Sequence, residues 1–227
     1  MESKKTSDTF PIILASTVHD IKNSLGTLLG LIRQLADNQQ VKSSDEFVSL
    51  EFEATRINHS LMQLLIMYKI EYHKFSLAID EYTVVDIINE VIAQNHNLSR
   101  INGLNLQVEC DDELMVYCDF AHVSNALGTI LNNAQRYTQQ SINISVVQEV
   151  DYLKFTIEDD GIGYPQHMLQ AELINPTDLD WVTGNTGLGL YFVAAIAALH
   201  TANGKNGWVK IDNQSRLGGA RFSLYLP

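Results

Sequence analysis

Ile157-Glu158-Asp159-Asp160-Gly161-Ile162-Gly163 runs from an apolar stretch into an acidic pair and then two glycines. A carboxylate at a strand end can accept a hydrogen bond from an amino group such as adenine's. Glycine there allows close backbone approach and positive φ. A plain Asp-Gly turn explains the fragment equally well, so its surroundings must decide. Residues 142–147 and 152–157 before it read as strands, and residues 120–137 as a helix. Further upstream, residues 84–94 have a helical period, and residues 104–108 and 114–118 look like short strands. Downstream, an irregular stretch over 161–184 precedes a helix that starts near Gly187. Strands over 208–211 and 220–226 end the chain. Strands and helices do not alternate strictly, which favours an α+β sandwich over a doubly wound parallel sheet.

Two further segments carry chemistry. Gly184-Asn185-Thr186-Gly187-Leu188-Gly189-Leu190 leads into an apolar helix. Its backbone N–H groups and the helix N-terminus form a natural anion site. It is neither a Walker loop nor the dinucleotide fingerprint, whose residues and spacing differ. Leu131-Asn132-Asn133-Ala134-Gln135-Arg136-Tyr137-Thr138 closes the helix over 120–137. Asn133 offers an amide oxygen to Mg²⁺, and Arg136, one turn on, a cation to a phosphate.

The first seventy-five residues read differently. Leu14, Val18, Ile21, Leu25, Leu28, Ile32 and Leu35 alternate spacings of four and three, an a/d seam within a helix over about 9–36. Pro11 lies in its first turn, where a missing N–H costs little. After a polar loop, Phe47, Leu50, Ala54, Ile57, Leu61, Leu64 and Tyr68 repeat the pattern in a second helix. Two such helices cannot bury both seams alone, and a homodimeric four-helix bundle is the simplest solution. His19-Asp20-Ile21-Lys22-Asn23 places a histidine just off the first seam, with Asn23 one turn away on the same face.

Composition narrows the classes. The 227 residues carry a formal net charge of -12, which disfavours a general nucleic-acid binder. An apolar share of 45% supports a packed core. Cys110 and Cys118 are the only cysteines, which suits a reducing compartment. The N-terminus shows no secretion signal, and residues 188–199 are too few to span a bilayer. A cytoplasmic protein without direct membrane insertion is expected. The remaining histidines show no zinc spacing.

Together with Gly218-Gly219-Ala220-Arg221-Phe222, these segments closely resemble, in order and separation, the N, G1, G2 and G3 boxes of sensor histidine kinases. The stretch around His19 resembles the same family's H-box, and the likeness runs from about residue 12 to residue 227. It implies a dimerisation and phosphoacceptor hairpin over 1–75 and a Bergerat-type α/β sandwich ATP-binding domain over 76–227. By resemblance, His19 is the phosphoacceptor, Asp20 holds its other ring nitrogen, and Asn23 matches the position that orients water for a phosphatase step. Asn133 would bind Mg²⁺. Arg136 stands for the usual lysine, and Tyr137 lies along the nucleotide. Asp159 would read the adenine amino group, with Gly161 and Gly163 allowing contact, while Gly184, Thr186, Gly187, Leu188 and Gly189 line the phosphate side.

The cofactors implied are ATP and Mg²⁺, and the partners a response-regulator receiver domain, a second copy of the chain and a separate sensor or input protein. Ser24 replaces the H-box proline and Thr129 the first N-box asparagine, and no Lys or Arg occurs between Tyr164 and Asn185. The alternative is a histidine phosphotransferase or phosphatase of the same architecture with weak or no ATP use. A pure ATP-binding regulatory module akin to anti-sigma factors is a third class.

Overall fold

The computed structural model describes residues 21, 23, 25–32, 35, 45–170 and 188–227. The chain divides into two compact units, Met1–Phe75 and Ser76–Pro227.

In the first unit, the described residues from Ile21 to Leu35 are helical, and helix α1 spans Asp45–Glu71. Leu29 and Ile32 pack with Phe47 and Ala54 of α1, with Leu25 against them. Only part of each seam is covered this way. Ile21, Leu28 and Leu35, and on α1 Leu50, Ile57 and Leu64, remain exposed. Each set recurs every seven residues, so one column of each heptad faces the hairpin and the other faces outward. Helix α1 ends in a Schellman motif. His73 takes the left-handed conformation (φ 52°), its N–H donates to Ile70 (3.0 Å), and the Lys74 N–H reaches back to Lys69 (2.8 Å).

The second unit is a two-layer sandwich. It contains β1 (Asp80–Thr83), α2 (Val84–Asn102), β2 (Asn105–Glu109), β3 (Met115–Cys118), α3 (Phe120–Tyr137), β4 (Ser141–Gln148) and β5 (Leu153–Asp159). Then follow α4 (Gln166–Gln170), α5 (Leu188–Leu199), β6 (Thr201–Ala202), β7 (Lys205–Asn206), β8 (Trp208–Asp212) and β9 (Arg221–Leu226). Five strands form one sheet in the order β2-β4-β5-β9-β8. Only the β2–β4 pair is parallel; the other three pairs are antiparallel. Ile142, Ile144 and Val146 on β4, Phe155 and Ile157 on β5, and Phe222, Leu224 and Leu226 on β9 alternate onto the buried face. Helices α2, α3 and α5 cover that face with Ile87, Val91, Leu127, Ile130, Leu131, Phe192 and Ile196.

Local chemistry explains the helix ends. Thr83 closes β1 and accepts from the Asp86 N–H at the start of α2 (3.2 Å), and Asp119 caps α3 through the His122 N–H (3.1 Å). The strands and long helices lie within a few residues of their expected positions, α2 extending well beyond residue 94. Sequence reading passed over β1, the short helix α4 within the supposed irregular stretch, and the β6–β7 hairpin. Asn203-Gly204 turns that hairpin with both φ angles positive (51° and 74°), a signal that was readable. No described helix is long and apolar enough to cross a membrane.

Candidate functional site

Three consecutive acids at the end of β5 hold three different parts of the fold. Glu158 is 2% exposed and accepts from the backbone N–H of Arg216 (3.0 Å) and from its Nε (2.8 Å). Arg216 also reaches Glu109, and so ties the β8–β9 loop to β2. Asp160 serves the opposite side. Its carboxylate accepts from Thr138 Oγ1 (2.5 Å) and from the backbone N–H groups of Gln139 (2.8 Å), Gln140 (3.0 Å) and Ser141 (3.0 Å). It thereby holds the whole turn that ends α3.

Burial pushes the Asp160 carboxyl upward, but these hydrogen bonds prevail and hold it at about 2. A carboxylate with a depressed pKa stabilises the fold above its ordinary value, and that contribution is lost as pH falls from about 4 to about 2. Solvent screening of this half-buried group reduces the effect to about 1 kcal/mol. Asp160→Ala is therefore expected to lower stability at pH 7 in urea unfolding. Its deficit should narrow between pH 4 and pH 2, and a deficit that stays constant would show that the charge plays no part.

Asp159, between the two, points into the site. It is 5% exposed, and its Oδ1 accepts from the backbone N–H groups of Gly161 (2.8 Å) and Ala220 (3.0 Å). Oδ2 takes no hydrogen bond from the described residues. The Asp159 carbonyl accepts from Ser215 Oγ (2.8 Å) and the Gly219 N–H (3.0 Å). Burial raises the carboxyl above the usual aspartate range and Asp160 adds to the rise, while the two amides oppose it.

The backbone crowds around this carboxylate. A Cβ at Gly161 would overlap the Tyr137 carbonyl, and one at Gly219 would overlap Asp159 Oδ1 and the Gly161 nitrogen. Gly163 has φ 77°, a conformation that a side chain strains. Asn213 staples the same loop, accepting from the Tyr164 N–H (2.7 Å) and donating to its carbonyl (2.9 Å).

The fold thus brings Tyr137, Asp159, Gly161 and the loop of Gly219 together. On the other flank, a Cβ at Gly189 would come within 2.9 Å of Thr129 Cγ2. The first turn of α5, with Leu188 and Gly189, therefore lies against α3 one turn before Asn133. Asn133 is half-buried, and Arg136 and Tyr137 are exposed. His19, Asp20, Ser24, Gly184, Thr186 and Gly187 lie outside the described residues. Asn23 belongs to the other unit, where it lines an open groove with Gly26, Thr27, Asn58 and Met62. Sequence reading missed Asn213, Ser215 and Arg216. Their signal was modest, a short polar run ahead of Gly218-Gly219.

These residues fit a nucleotide. A buried acceptor whose Oδ1 the backbone already occupies suits an exocyclic amine, and the N–H groups opening α5 suit phosphate. Among the described residues, no group of three or more His, Cys, Asp or Glu side chains could hold a metal ion alone. An ion at Asn133 would draw most of its oxygens from phosphates and water.

The family model of histidine kinase-, DNA gyrase B- and HSP90-like ATPases matches residues 118–227. Sensor histidine kinase GraS of Staphylococcus epidermidis is 27% identical over 184 residues, 79% of this chain and 51% of GraS. The chain is thus similar to sensor histidine kinases, and residues 118–227 carry an ATPase domain of the histidine kinase, DNA gyrase B and HSP90 type. The chain spans about half the length of GraS. Among solved histidine kinases, Acinetobacter baumannii AdeS superposes with a TM-score of 0.62 at 20% identity, covering 92% of this chain and 96% of that one. Full-length ShkA in complex with AMPPNP gives 0.67 at 17% identity, covering 96% of this chain and 46% of ShkA. The sandwich of β2-β4-β5-β9-β8 under three helices is thus the kinase family's ATPase fold.

Proposed function

We propose that the chain is an ATP-dependent protein histidine kinase that phosphorylates itself on His19 and passes the phosphate to an aspartate of a response-regulator receiver domain. The observation that carries this reading is Asp159, a buried carboxylate whose Oδ1 the Gly161 and Ala220 amides occupy, within a histidine kinase-type ATPase domain. Asp159 accepts from the adenine amino group, and Tyr137 lies along the nucleotide. Arg136 meets the phosphates, Gly184, Thr186, Gly187, Leu188 and Gly189 line the phosphate side, and Gly163 shapes the base side. Asn133 would hold Mg²⁺, which would offset phosphate charge in the transition state. A ring nitrogen of His19, oriented by Asp20, attacks the γ-phosphorus; the bond to the β-phosphate oxygen breaks, and ADP leaves. In the reverse regulatory direction, Asn23 orients a water against the receiver's aspartyl phosphate. The groove that it lines with Asn58 and Met62 gives that water room.

The hairpin works as a homodimer in the cytoplasm, with a separate sensor or input protein supplying the signal. The exposed columns Ile21, Leu28, Leu35 and Leu50, Ile57, Leu64 support the dimer, since a second hairpin would bury both. Ile57→Asp with Leu64→Asp is expected to convert a dimeric mass in sedimentation to a monomeric one. A wild-type monomer at micromolar concentration would overturn this assembly.

One observation favours a second reading. Thr129 stands at the first asparagine of the N-box, and its hydroxyl donates to the Asn125 carbonyl (2.8 Å). Such a site holds metal less firmly, as suits a histidine phosphotransferase or phosphatase with weak ATP use. Incubation with γ-labelled ATP and Mg²⁺ separates the two. The kinase reading expects an acid-labile phosphoprotein that His19→Gln abolishes. No label at millimolar ATP, with exchange from a phosphorylated receiver onto His19, establishes the second.

A further inference from the structure

Both backbone polar groups of Asp159 are held, and mostly by one loop. Its N–H donates to the Ala220 carbonyl (3.0 Å), and its carbonyl accepts from the Gly219 N–H (3.0 Å) and from Ser215 Oγ (2.8 Å). Its Oδ1 accepts from the Ala220 N–H (3.0 Å) and, within its own turn, from the Gly161 N–H (2.8 Å). All but the last of these bonds come from residues 215–220. That loop is itself pinned at its start. The Ser215 hydroxyl donates to the Asp159 carbonyl and accepts from the Leu217 N–H (3.0 Å), while the Ser215 carbonyl accepts from the Gly218 N–H (3.1 Å). One hydroxyl, acting as donor and acceptor at once, thus closes the turn over 215–218 and fastens it to β5. Arg216 follows, donating to buried Glu158 from its backbone N–H (3.0 Å) and its Nε (2.8 Å). Gly219 then passes so close to Asp159 Oδ1 that a Cβ there would overlap it.

A carboxylate alone does not choose a base. Adenine offers it an amino group, but guanine offers a ring N–H beside an amino group, a good match for two carboxylate oxygens. The choice therefore depends on where those oxygens are fixed. To read adenine, Asp159 must stay opposite the exocyclic amine. Guanine carries a carbonyl at that position, which a fixed carboxylate repels. A carboxylate free to shift can instead meet guanine's two donors. We propose that Ser215 is a positioning and specificity-determining residue: its hydroxyl holds the 215–220 loop on β5, and the loop holds Asp159 where it accepts from adenine and rejects guanine. Ser215 acts through Asp159 rather than on the nucleotide itself. The inference rests on the ATP-binding reading of Asp159 and deepens it, since the base preference then comes from the loop as much as from the carboxylate.

Ser215→Ala removes the hydroxyl, and Ser215→Thr keeps it. In calorimetric titrations of the full chain with Mg²⁺ and either ATP or GTP, Ser215→Ala is expected to bind ATP about fivefold more weakly, the effect of one hydrogen bond. Its GTP affinity should be no lower than that of wild type, so the preference for ATP falls by the same factor. Ser215→Thr should restore that preference to within about twofold of wild type. A purely structural role would weaken both nucleotides together. Hydrogen exchange at the Ala220 amide should be about fivefold faster in Ser215→Ala than in wild type or Ser215→Thr, and this readout needs no nucleotide. Equal exchange in all three proteins, an unchanged ATP-to-GTP ratio in Ser215→Ala, or a Ser215→Thr variant as impaired as Ser215→Ala would each overturn the proposal. A wild type that binds neither nucleotide, while the exchange rates differ as expected, refutes the ATP-binding reading and the base selectivity with it.

Discussion

Asp159→Asn is expected to weaken ATP binding by about 30- to 100-fold while leaving the domain folded. The Gly161 and Ala220 amides both donate to Oδ1, and so they dictate which end of an asparagine amide turns toward them. The carbonyl oxygen takes that place, and the NH₂ group is left facing the adenine amine. Donor then meets donor in a buried site, which removes a hydrogen bond to a charged acceptor worth about 2–3 kcal/mol. Calorimetric titration with ATP, beside the unfolding curve of the same variant, measures both quantities. Affinity within threefold of wild type would show that Asp159 does not read the base. The wild type carries a second signature. Because burial raises the Asp159 pKa, its acceptor is lost at a higher pH than an ordinary aspartate would lose it. Affinity should accordingly fall on acidification before the Asp160 turn begins to weaken.

Gly161→Ala is expected to destabilise the second unit by about 3 kcal/mol, lowering its Tm by roughly 10 °C. The new methyl would overlap the Tyr137 carbonyl oxygen, with the carbonyl carbon at 2.8 Å and Asp159 Oδ1 at 3.0 Å. These neighbours are backbone at the end of α3 and a carboxylate fixed by two amides, so none swings aside. Gly103→Ala makes the control. Gly103 has φ 62° but nothing within 4 Å of its Cβ position, so only backbone strain of about 1 kcal/mol separates the variant from wild type. A Gly161→Ala variant no less stable than Gly103→Ala would mean that Tyr137 and Gly161 are not held in contact.

Both effects arise from pairings that no local pattern contains. The alternation of Ile142, Ile144 and Val146, or the spacing of Val123, Leu127, Ile130 and Leu131, identifies an element because side-chain period is a property of the backbone itself. The caps were equally legible: Asp119 before α3 and Thr83 before α2 are ordinary N-cap residues. Glu158, Asp159 and Asp160 look equivalent in a row, yet they hold a loop fifty-eight residues on, the amides of Gly161 and Ala220, and a turn twenty residues back. Strand alternation separates Glu158 from Asp159, and the strand's end frees Asp160 to fold toward α3.

By itself, then, the sequence determined the order of the five main-sheet strands and of the long helices of the second unit, the heptads of the hairpin and the family likeness around Asp159, because each is written in residues close along the chain. The tertiary structure alone decided which seam column stays exposed, which Asp159 oxygen the backbone amides occupy, and that the Ala78 N–H donates to the Asp119 carboxylate. Those depend on strand order and helix packing, which bring together residues twenty to sixty positions apart. Only the folded chain fixes such distances.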